Sequence, residues 1–480
     1  MSPVVVVLVV YLCLLAALAV WSASETGTMS GFYIAGKKLP FWVVAFSTNA
    51  TGESGWLLLG LTGMGWAVGA EAYWVLVGEL LGIAGSWWIV SRRLKRLSDE
   101  TDSITVPDVL AARVEDRWHL IRGIAVMVIL VMVTTYIAAQ LVATGKALDG
   151  FLGVPFKWGV VFGSVIVIGY TFIGGYKAVC YTDVLQGVMM LLGLVLVPIV
   201  AIHAAGGIGA VVSKLAQQDP KLLDMFALTE TGTAGWVRAI SFIAIGLPFL
   251  GVPQLLVRFM SARDDGEVRK ARIMSVIVLF FYTGGAVTAG IAGRALFPGI
   301  EDPEKIFPTL SSELFPPIIS GVLLVVVLSA IMSTADSLLL LASSAVVRDT
   351  IQKIFGSRRS DHSLAIYGKI ATILIGIVAI AVAIAVKEKL IFSFVLYSWS
   401  GLGAAFGPVV LCLLYSRKTT YAGVVAGMLA GFAASIVWVA FYKEHAYGLY
   451  EAVPGFAVGI AVTLIVSALT GKKAAQVQYG

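Results

Sequence analysis

Apolar stretches long enough to cross a bilayer recur along the whole chain, and this recurrence restricts the fold more than any other feature. A helix needs about 20 residues to cross the hydrocarbon core, and windows of that length and character occur at about thirteen places in the 480 residues. The predicted spans are 3–23, 41–66, 69–91, 118–147, 157–174, 182–205, 235–257, 272–295, 317–346, 364–386, 390–416, 420–441 and 452–471. Charged residues make up only 13% of the chain, which is about half of the share in soluble domains. The sequence therefore predicts an all-α polytopic membrane protein, organised as one transmembrane domain over 1–480, and excludes a soluble enzyme.

The connections between the spans are predicted to be short or polar. The largest gaps lie near 92–117, 206–234 and 296–316, and we expect polar loops there. The first apolar segment is preceded by no basic residue, because the first Lys or Arg is Lys37. It is therefore predicted to be a retained helix rather than a signal peptide.

The distribution of basic residues predicts how the chain is oriented. If the N-terminus lies outside, roughly 24 of the 34 Lys and Arg residues, including Lys472 and Lys473, fall on the inner side. We therefore expect the N-terminus outside and the C-terminus inside. The net charge of +6 is then explained by membrane orientation, without nucleic-acid binding.

Cysteine and histidine give no support for metal catalysis. These residues are Cys13, Cys180 and Cys412, in or beside apolar stretches, and the scattered His119, His203, His362 and His445. Neither set has the spacing of metal ligands, and buried small hydrophobes are the simpler interpretation of the cysteines.

Two of the spans are interrupted by polar, Gly-rich or Pro-rich sequence. The second contains Asn-Ala-Thr-Gly-Glu-Ser-Gly at 49–55, and the seventh contains Gly-Leu-Pro-Phe-Leu-Gly-Val-Pro at 246–253. Unwound backbone is tolerated at membrane depth only where it faces protein or a water-filled site, because hydrocarbon cannot satisfy the freed carbonyls. Two broken helices therefore favour a binding site near the middle of the membrane.

Each interruption opens a run of five spans, at about 41–205 and 235–416. Two such runs are typical of an inverted-repeat secondary transporter, with the spans at 3–23, 420–441 and 452–471 as additions. A channel would show a repeated selectivity loop or a ring of charges, and neither is visible. An intramembrane aspartyl protease built on Asp183 and Asp336 is a further alternative.

Several motifs resemble those of the sodium:solute symporter family. They are Tyr170–Val179 with Tyr181-Thr182-Asp183 and Gln186, Met332–Ser337, Gly251-Val252-Pro253 with Arg258-Phe259-Met260, Trp399–Pro408, Ser54–Leu58, and Leu449-Tyr450-Glu451 with Pro454-Gly455-Phe456. The likeness runs from the first span to the last and within the family is greatest to the proline-transporting branch. It implies a LeuT-like core of five plus five helices with three further spans, in the cell membrane, that moves Na⁺ together with a small solute and uses no organic cofactor.

The resemblance also implies a sodium site. Its ligands would be the side chains of Ser333 and Thr334 and the carbonyl oxygens of Ala50, Glu53 and Ala330. Such oxygens suit a hard cation, since they can replace its water shell. Without the resemblance, the two hydroxyls have a plainer interpretation as hydrogen-bond donors to their own helix.

A second set of residues resembles the additional sodium site of some family members. These are Asp183, Asp336 and Ser337, for which structural pairing near the cytoplasmic face is the alternative. Proline symporters carry an aspartate where this chain has Gly52. The following residue, Glu53, points about 100° away on a helix and need not replace it, so proton coupling through Glu53 stays open as an alternative. Glu71 and Glu79 are assigned no role.

The solute contacts implied by the resemblance are Ser54, Trp56, Tyr136, Gln140, Ile245 and Phe249. Proline symporters carry tryptophan and tyrosine where this chain has Ile245 and Phe249, so we expect a more apolar pocket. The prediction is a Na⁺-coupled symporter for proline or a similar small amino acid, and not an enzyme. A sodium/monocarboxylate or proton-coupled symporter is the alternative within transporters, and a channel or membrane sensor is the alternative from another class.

Overall fold

A computed structural model describes residues 3–22, 26–226, 232–385 and 391–471. In this part of the chain the secondary structure is helical, apart from one isolated bridge between Leu39 and Ala262. The ends predicted at 23, 386 and 390, together with Lys472 and Lys473, lie outside the described residues. The all-α prediction is confirmed for the described part.

Nineteen α-helices order the chain in the described part. They are α1 Pro3–Ser22, α2 Met29–Ile34, α3 Phe41–Gly55, α4 Thr62–Val68, α5 Tyr73–Gly85, α6 Ser91–Glu100, α7 Val106–Val114, α8 Leu120–Leu152, α9 Phe156–Ala204, α10 Ile208–Gln218, α11 Thr233–Ala244, α12 Pro253–Ser261, α13 Asp265–Leu296, α14 Ile306–Leu314, α15 Pro317–Ser344, α16 Asp361–Ala385, α17 Ile391–Tyr415, α18 Tyr421–Val437 and α19 Ala452–Thr470. Eleven helical runs of this part are long and apolar enough to cross a membrane.

Two of these eleven runs contain a sharp turn at a glycine. The run Phe41–Glu100 turns at Gly69, with φ of 65°, and α9 turns at Gly175, with φ of 57°. Residues other than glycine rarely adopt this backbone conformation. A Cβ at Gly69 would also lie 2.1 Å from the carbonyl oxygen of Leu222. Glycine is therefore required at the first turn for both conformation and space.

The predicted loops need correction, because each of the three contains helix. The region 92–117 holds all but the first residue of α6 and all of α7, 206–234 holds α10, and 296–316 holds α14. These helices are short and amphipathic rather than apolar; in α10, for example, Val211 and Leu215 are buried in a small cluster with neighbouring segments. The mean hydropathy over a window as long as a membrane crossing does not reveal such a short helix, because the window also includes polar residues.

The central element of the fold is α15. It packs against α1, α3, α8, α9 and α16. In its most apolar window 83% of the residues are buried, against 17% in α1, which places α15 in the interior and α1 at the lipid-facing edge. Any polar group on α15 is therefore surrounded by protein rather than lipid.

A network of ion pairs ties α7, α8 and the end of the α15 run together. Arg122 donates to Asp108 at 2.6 Å and to Asp349 at 2.7 Å, and Arg348 donates to the other oxygen of Asp108 at 2.8 Å. Burial alone would raise the pKa of Asp108, but the two arginines outweigh it and hold that pKa below its ordinary value.

Candidate functional site

The first interruption predicted from the sequence is a break in α3 at Ser54. This residue has φ of 45° and ψ of −176°, outside the helical region. Its hydroxyl accepts a hydrogen bond from the N–H of Trp56 at 3.1 Å, which stabilises the turn locally. The N–H of Gly55 leaves the helix and donates to the Oε1 of Gln140 at 2.9 Å. The carbonyl of Thr51, four residues earlier, therefore loses its usual helical donor.

Two hydroxyls of α15 lie against the carbonyls next to this break. The Ser333 hydroxyl donates to the carbonyl of Ala50 at 2.8 Å and lies 3.2 Å from the carbonyl of Ala330. The Thr334 hydroxyl donates to the carbonyl of Thr51 at 2.9 Å. Both hydroxyls therefore form hydrogen bonds to carbonyls of α3, and only the hydroxyl of Ser333 also contacts a carbonyl of its own helix, α15.

Four of the five predicted sodium ligands therefore lie close together around the break. The fifth, the carbonyl of Glu53, instead accepts the N–H of Trp56, and no contact joins it to the hydroxyls. The cluster offers only neutral hydroxyl and carbonyl oxygens, and Ala50, Ala330, Ser333 and Thr334 are all buried. Oxygens of this kind fit a hard monovalent cation.

The predicted second cation site contains the guanidinium of Arg258, which follows the span predicted at 235–257 directly and was therefore expected in a loop. Arg258, on α12, is 1% exposed; it lies 3.3 Å from a carboxylate oxygen of Asp183 and donates to the hydroxyl of Ser337. Asp336 accepts from Tyr170 at 2.5 Å and from Ser337 at 3.1 Å. Asp183, Asp336 and Ser337 do lie together, but the positive charge of Arg258 already offsets part of the negative charge of the two carboxylates.

Thr51 and Ser47 are residues of this network that the sequence analysis missed. Both hydroxyls lie against Asp183, at 3.3 and 2.6 Å, and both accept hydrogen bonds from Arg258. They are four residues apart on α3, so they share a face of the helix. That spacing of two hydroxyls in an apolar span was the available signal.

The predicted solute contacts on α3 and α8 lie next to one another. Gln140 contacts the break through Gly55, and the Tyr136 hydroxyl, one turn earlier, lies beside Ser54. Because Oε1 of Gln140 accepts the N–H of Gly55, the orientation of the amide is fixed. Its Nε2 is then a buried donor without an acceptor among the residues that the structure describes. A buried donor in this position suits a solute carboxylate.

The second interruption forms an apolar wall against α3. The chain leaves α11 at Ala244, makes a short turn over Leu247–Leu250 and resumes at Pro253. The ring of Phe249 packs on Gly52, where a Cβ would lie 3.4 Å from it. Trp399 closes this wall: its indole N–H donates to the carbonyl of Ile245 at 3.1 Å, and its ring meets that of Phe249 edge-on, with 5.0 Å between centroids.

Comparison with known proteins shows the family of the chain. A profile of the sodium:solute symporter family matches residues 32–431. A sodium/proline symporter of Staphylococcus aureus is 35% identical over 486 residues, covering 98% of this chain and 94% of that protein. The corresponding protein of the bovine strain RF122 of that organism is 35% identical over 488 residues, with the same coverage.

Solved structures resemble the chain in fold. A Na⁺-coupled sialic acid symporter, bound to substrate in an outward-open state, aligns with a TM-score of 0.83 at 20% identity and covers 98% of both chains. A nucleobase-cation-symport-1 family transporter in a closed conformation aligns with a TM-score of 0.55 at 12% identity, over 93% of this chain and 96% of that one. The predicted LeuT-like fold is thus supported independently of sequence identity. From its family profile and its relatives, the chain belongs to the sodium:solute symporter family.

Proposed function

We propose that the chain is a symporter that couples inward movement of Na⁺ to uptake of proline or a similar small amino acid. The observation that carries this proposal is the break at Ser54, which has carbonyls facing the α15 hydroxyls on one side and the buried Gln140 amide on the other. A cation and a solute carboxylate would then bind a few residues apart on one helix. Each would stabilise the same conformation of the break, and this is the basis of coupling.

The proposed sodium ligands are the hydroxyls of Ser333 and Thr334 and the carbonyls of Ala50, Ala330 and Glu53. The first four support the proposal by their proximity. The Glu53 carbonyl requires a change at the break before it can join them, because it accepts an N–H at present. Sodium binding would therefore pull the break into a different geometry, as a coupled transporter needs.

The proposed solute site is formed by Ser54, Trp56, Tyr136 and Gln140 on one side and Ile245 and Phe249 on the other. The amide of Gln140 would bind the carboxylate, and the Phe249 ring would cover the apolar part of the solute. The curated relatives named as sodium/proline symporters support proline. The apolar wall, without a hydroxyl on Phe249, leaves a sodium/monocarboxylate symporter as the second candidate.

Asp183, Asp336 and Ser337 are proposed as a second cation site with one condition. Arg258 already supplies a positive charge there, so Na⁺ would enter only in a conformation in which the guanidinium has moved away. The experiment on Arg258 in the Discussion tests this condition.

The proposed topology has thirteen spans in a multi-pass protein of the plasma membrane. Two of the eleven membrane-crossing runs are 60 and 49 residues long, well beyond the about 20 residues that one crossing needs, and each turns at a glycine. Counting each as two crossings gives thirteen, with the N-terminus outside and the C-terminus inside. The repeats would be 41–205 and 235–416. No enzymatic activity and no organic cofactor are proposed, and the chain would act as a carrier rather than as a channel or sensor.

The proposal is tested by removing the two hydroxyls. Ser333→Ala with Thr334→Ala keeps a helix-forming sequence but removes two of the about five sodium oxygens. Uptake of a radiolabelled amino-acid panel into proteoliposomes, with sodium and pH gradients set separately, should lose its sodium dependence. Ser344→Ala is the matched control, since that hydroxyl on the same helix donates only to Leu341 of its own helix. Wild-type sodium dependence in the double variant would refute the assignment, and uptake driven by a pH gradient without sodium would establish proton coupling.

A further inference from the structure

Two buried carboxylates lie on the side of α3 away from Arg258 and belong to none of the sites above. Glu53 on α3 is 1% exposed, and Glu79 on α5 is 2% exposed. Both residues lie against the second interruption: a Cβ at Gly246 would lie 3.2 Å from the backbone nitrogen of Glu79, and the ring of Phe249 packs on Gly52, the residue before Glu53. Both helices pack against α13, and Thr283 of α13 donates its hydroxyl to Glu79 at 2.7 Å.

The Glu53 carboxylate has no protein donor in the described residues. Both of its oxygens are buried and without a hydrogen-bond partner. This is unusual, because buried polar groups in folded proteins nearly always have partners and buried charges are paired. A side chain in this state indicates a missing ligand.

Basic residues do not compensate the pair. Among the described residues, each ion pair that reaches the transmembrane interior involves another acid, such as Asp183 with Arg258 or Glu71 with Arg238. Two buried acidic side chains and a hydroxyl without an internal positive charge are therefore available to a cation from outside the chain.

We propose that Glu53, Glu79 and Thr283 form a further Na⁺ site, separate from the one at Ser333 and Thr334. Carboxylate and hydroxyl oxygens are the donors that hard cations select, and Glu53, Glu79 and Thr283 supply both kinds. The site rests on the proposed function in one respect, since a transported ion must be able to leave. Its position on α3, directly beside the break, would let the ion sense the same change of backbone as the solute.

Sodium binding to the purified transporter tests the site without needing any solute. Equilibrium binding of ²²Na⁺ at constant pH gives the number of ions per protein and their affinity. Glu79→Gln should lose one equivalent, or weaken one equivalent by about tenfold or more. Glu53→Gln, which keeps its backbone carbonyl, should lose the same bound Na⁺. The variant that combines Glu53→Gln and Glu79→Gln should therefore lose one ion and not two.

The controls separate this site from the proposed one. Glu71→Gln neutralises a buried acid in the same helical run and should bind the wild-type number of ions, because Glu71 is paired with Arg238. Ser333→Ala with Thr334→Ala should remove a different equivalent, so its loss adds to that of Glu79→Gln. If Glu79→Gln does not fold, Thr283→Val keeps both carboxylates and should weaken the same equivalent about threefold to tenfold.

A wild-type number of tightly bound ions in folded Glu79→Gln would overturn the proposal. So would unchanged sodium binding in that variant together with loss of a solute-linked proton, because the pair would then carry a proton instead. Loss of the hydroxyl-dependent ion alone, with the Glu79 equivalent intact, refutes this inference and leaves the proposed function standing. If the wild type transports no solute but Glu79→Gln still loses one bound Na⁺, the inference is supported and the proposed function is refuted.

Discussion

Replacing the buried arginine of α12 should reveal whether its place can be taken by sodium. Arg258→Met has a similar length but removes every polar contact of the guanidinium. These contacts are Ser47 at 3.2 Å, the carbonyl of Gln254 at 2.6 Å, Thr51 at 2.8 Å, Asp183 at 3.3 Å and Ser337. Since Asp183 would be left buried without a counter-charge, the loss in the free energy of unfolding should be about 3–5 kcal/mol.

A second variant measures how much of that loss comes from the stranded charge. Arg258→Met with Asp183→Asn removes both charges and should recover most of the stability, because replacing a whole buried ion pair is often nearly neutral. Sodium should act differently on the two proteins. In Arg258→Met the ion can bind at Asp183, and at 100 times its dissociation constant it would restore about 2.7 kcal/mol. In the double variant it has no charge to bind there.

The assay is thermal unfolding in detergent over a series of NaCl concentrations, with choline chloride keeping the ionic strength constant. We expect a sodium-dependent rise in the midpoint that is larger in Arg258→Met than in either the wild type or the double variant. Equal stability of Arg258→Met and the wild type would show that the ion pair is unimportant. The same sodium response in all three proteins would show that the guanidinium does not compete with sodium.

Three further predictions concern the solute pocket, the helix packing and the charge network of α7. Phe249→Tyr with Ile245→Trp should change the preference between close analogues by about 1–3 kcal/mol in competition uptake assays, and an unchanged ranking would show that these side chains face away from the solute. Gly246→Ala would place a methyl 1.9 Å from a carbonyl oxygen of α5, so it should lower stability by at least about 1–3 kcal/mol in thermal unfolding; Gly123→Ala, with nothing within 4 Å, should not. The lowered pKa of Asp108 means that its contribution to stability is complete above its unfolded pKa of about 3.9 and is lost as the pH falls through the folded value, so the destabilisation caused by Asp108→Asn, measured by unfolding at several pH values, should be smaller at pH 3 than at pH 5.

The spans and their breaks could be predicted from the sequence because membrane depth imposes strong local rules. Hydrocarbon accepts only apolar side chains and satisfied backbone, so each crossing leaves a long apolar window and each unwound segment leaves Gly, Pro or polar residues. The break at Ser54 and the turn at Leu247–Leu250 lie inside the two predicted interruptions. The hydroxyl pair on α15 was visible for the same reason, as polar residues in an apolar span.

The partners of polar residues could not be predicted in this way, because they depend on helix packing rather than on local sequence. Arg258 follows the second interruption and was counted as a loop residue, but α12 turns inward and carries it to Asp183. The helices inside the predicted loops were missed because they are much shorter than a membrane crossing: α7 and α14 have 9 residues each and α10 has 11. Glu79 was assigned no role because its neighbour Glu53 is 26 positions away in sequence, and only the packing of α3 and α5 on α13 brings the two together.

The two polar clusters beside α3 differ in the source of their positive charge, and this difference assigns them different roles. On one side Ser47 and Thr51 face Asp183 and Arg258, and the cation is part of the chain. On the other side Glu53 and Glu79 are buried on helices that both pack against α13, and the Glu53 carboxylate has no hydrogen-bond partner in the described residues. A covalently attached cation can fix a conformation but cannot be released to the cytoplasm. We therefore expect an exchangeable ion at the cluster that lacks an internal charge, which lies directly next to the break at Ser54. At Asp183 we expect Na⁺ only in a conformation in which the guanidinium has moved away.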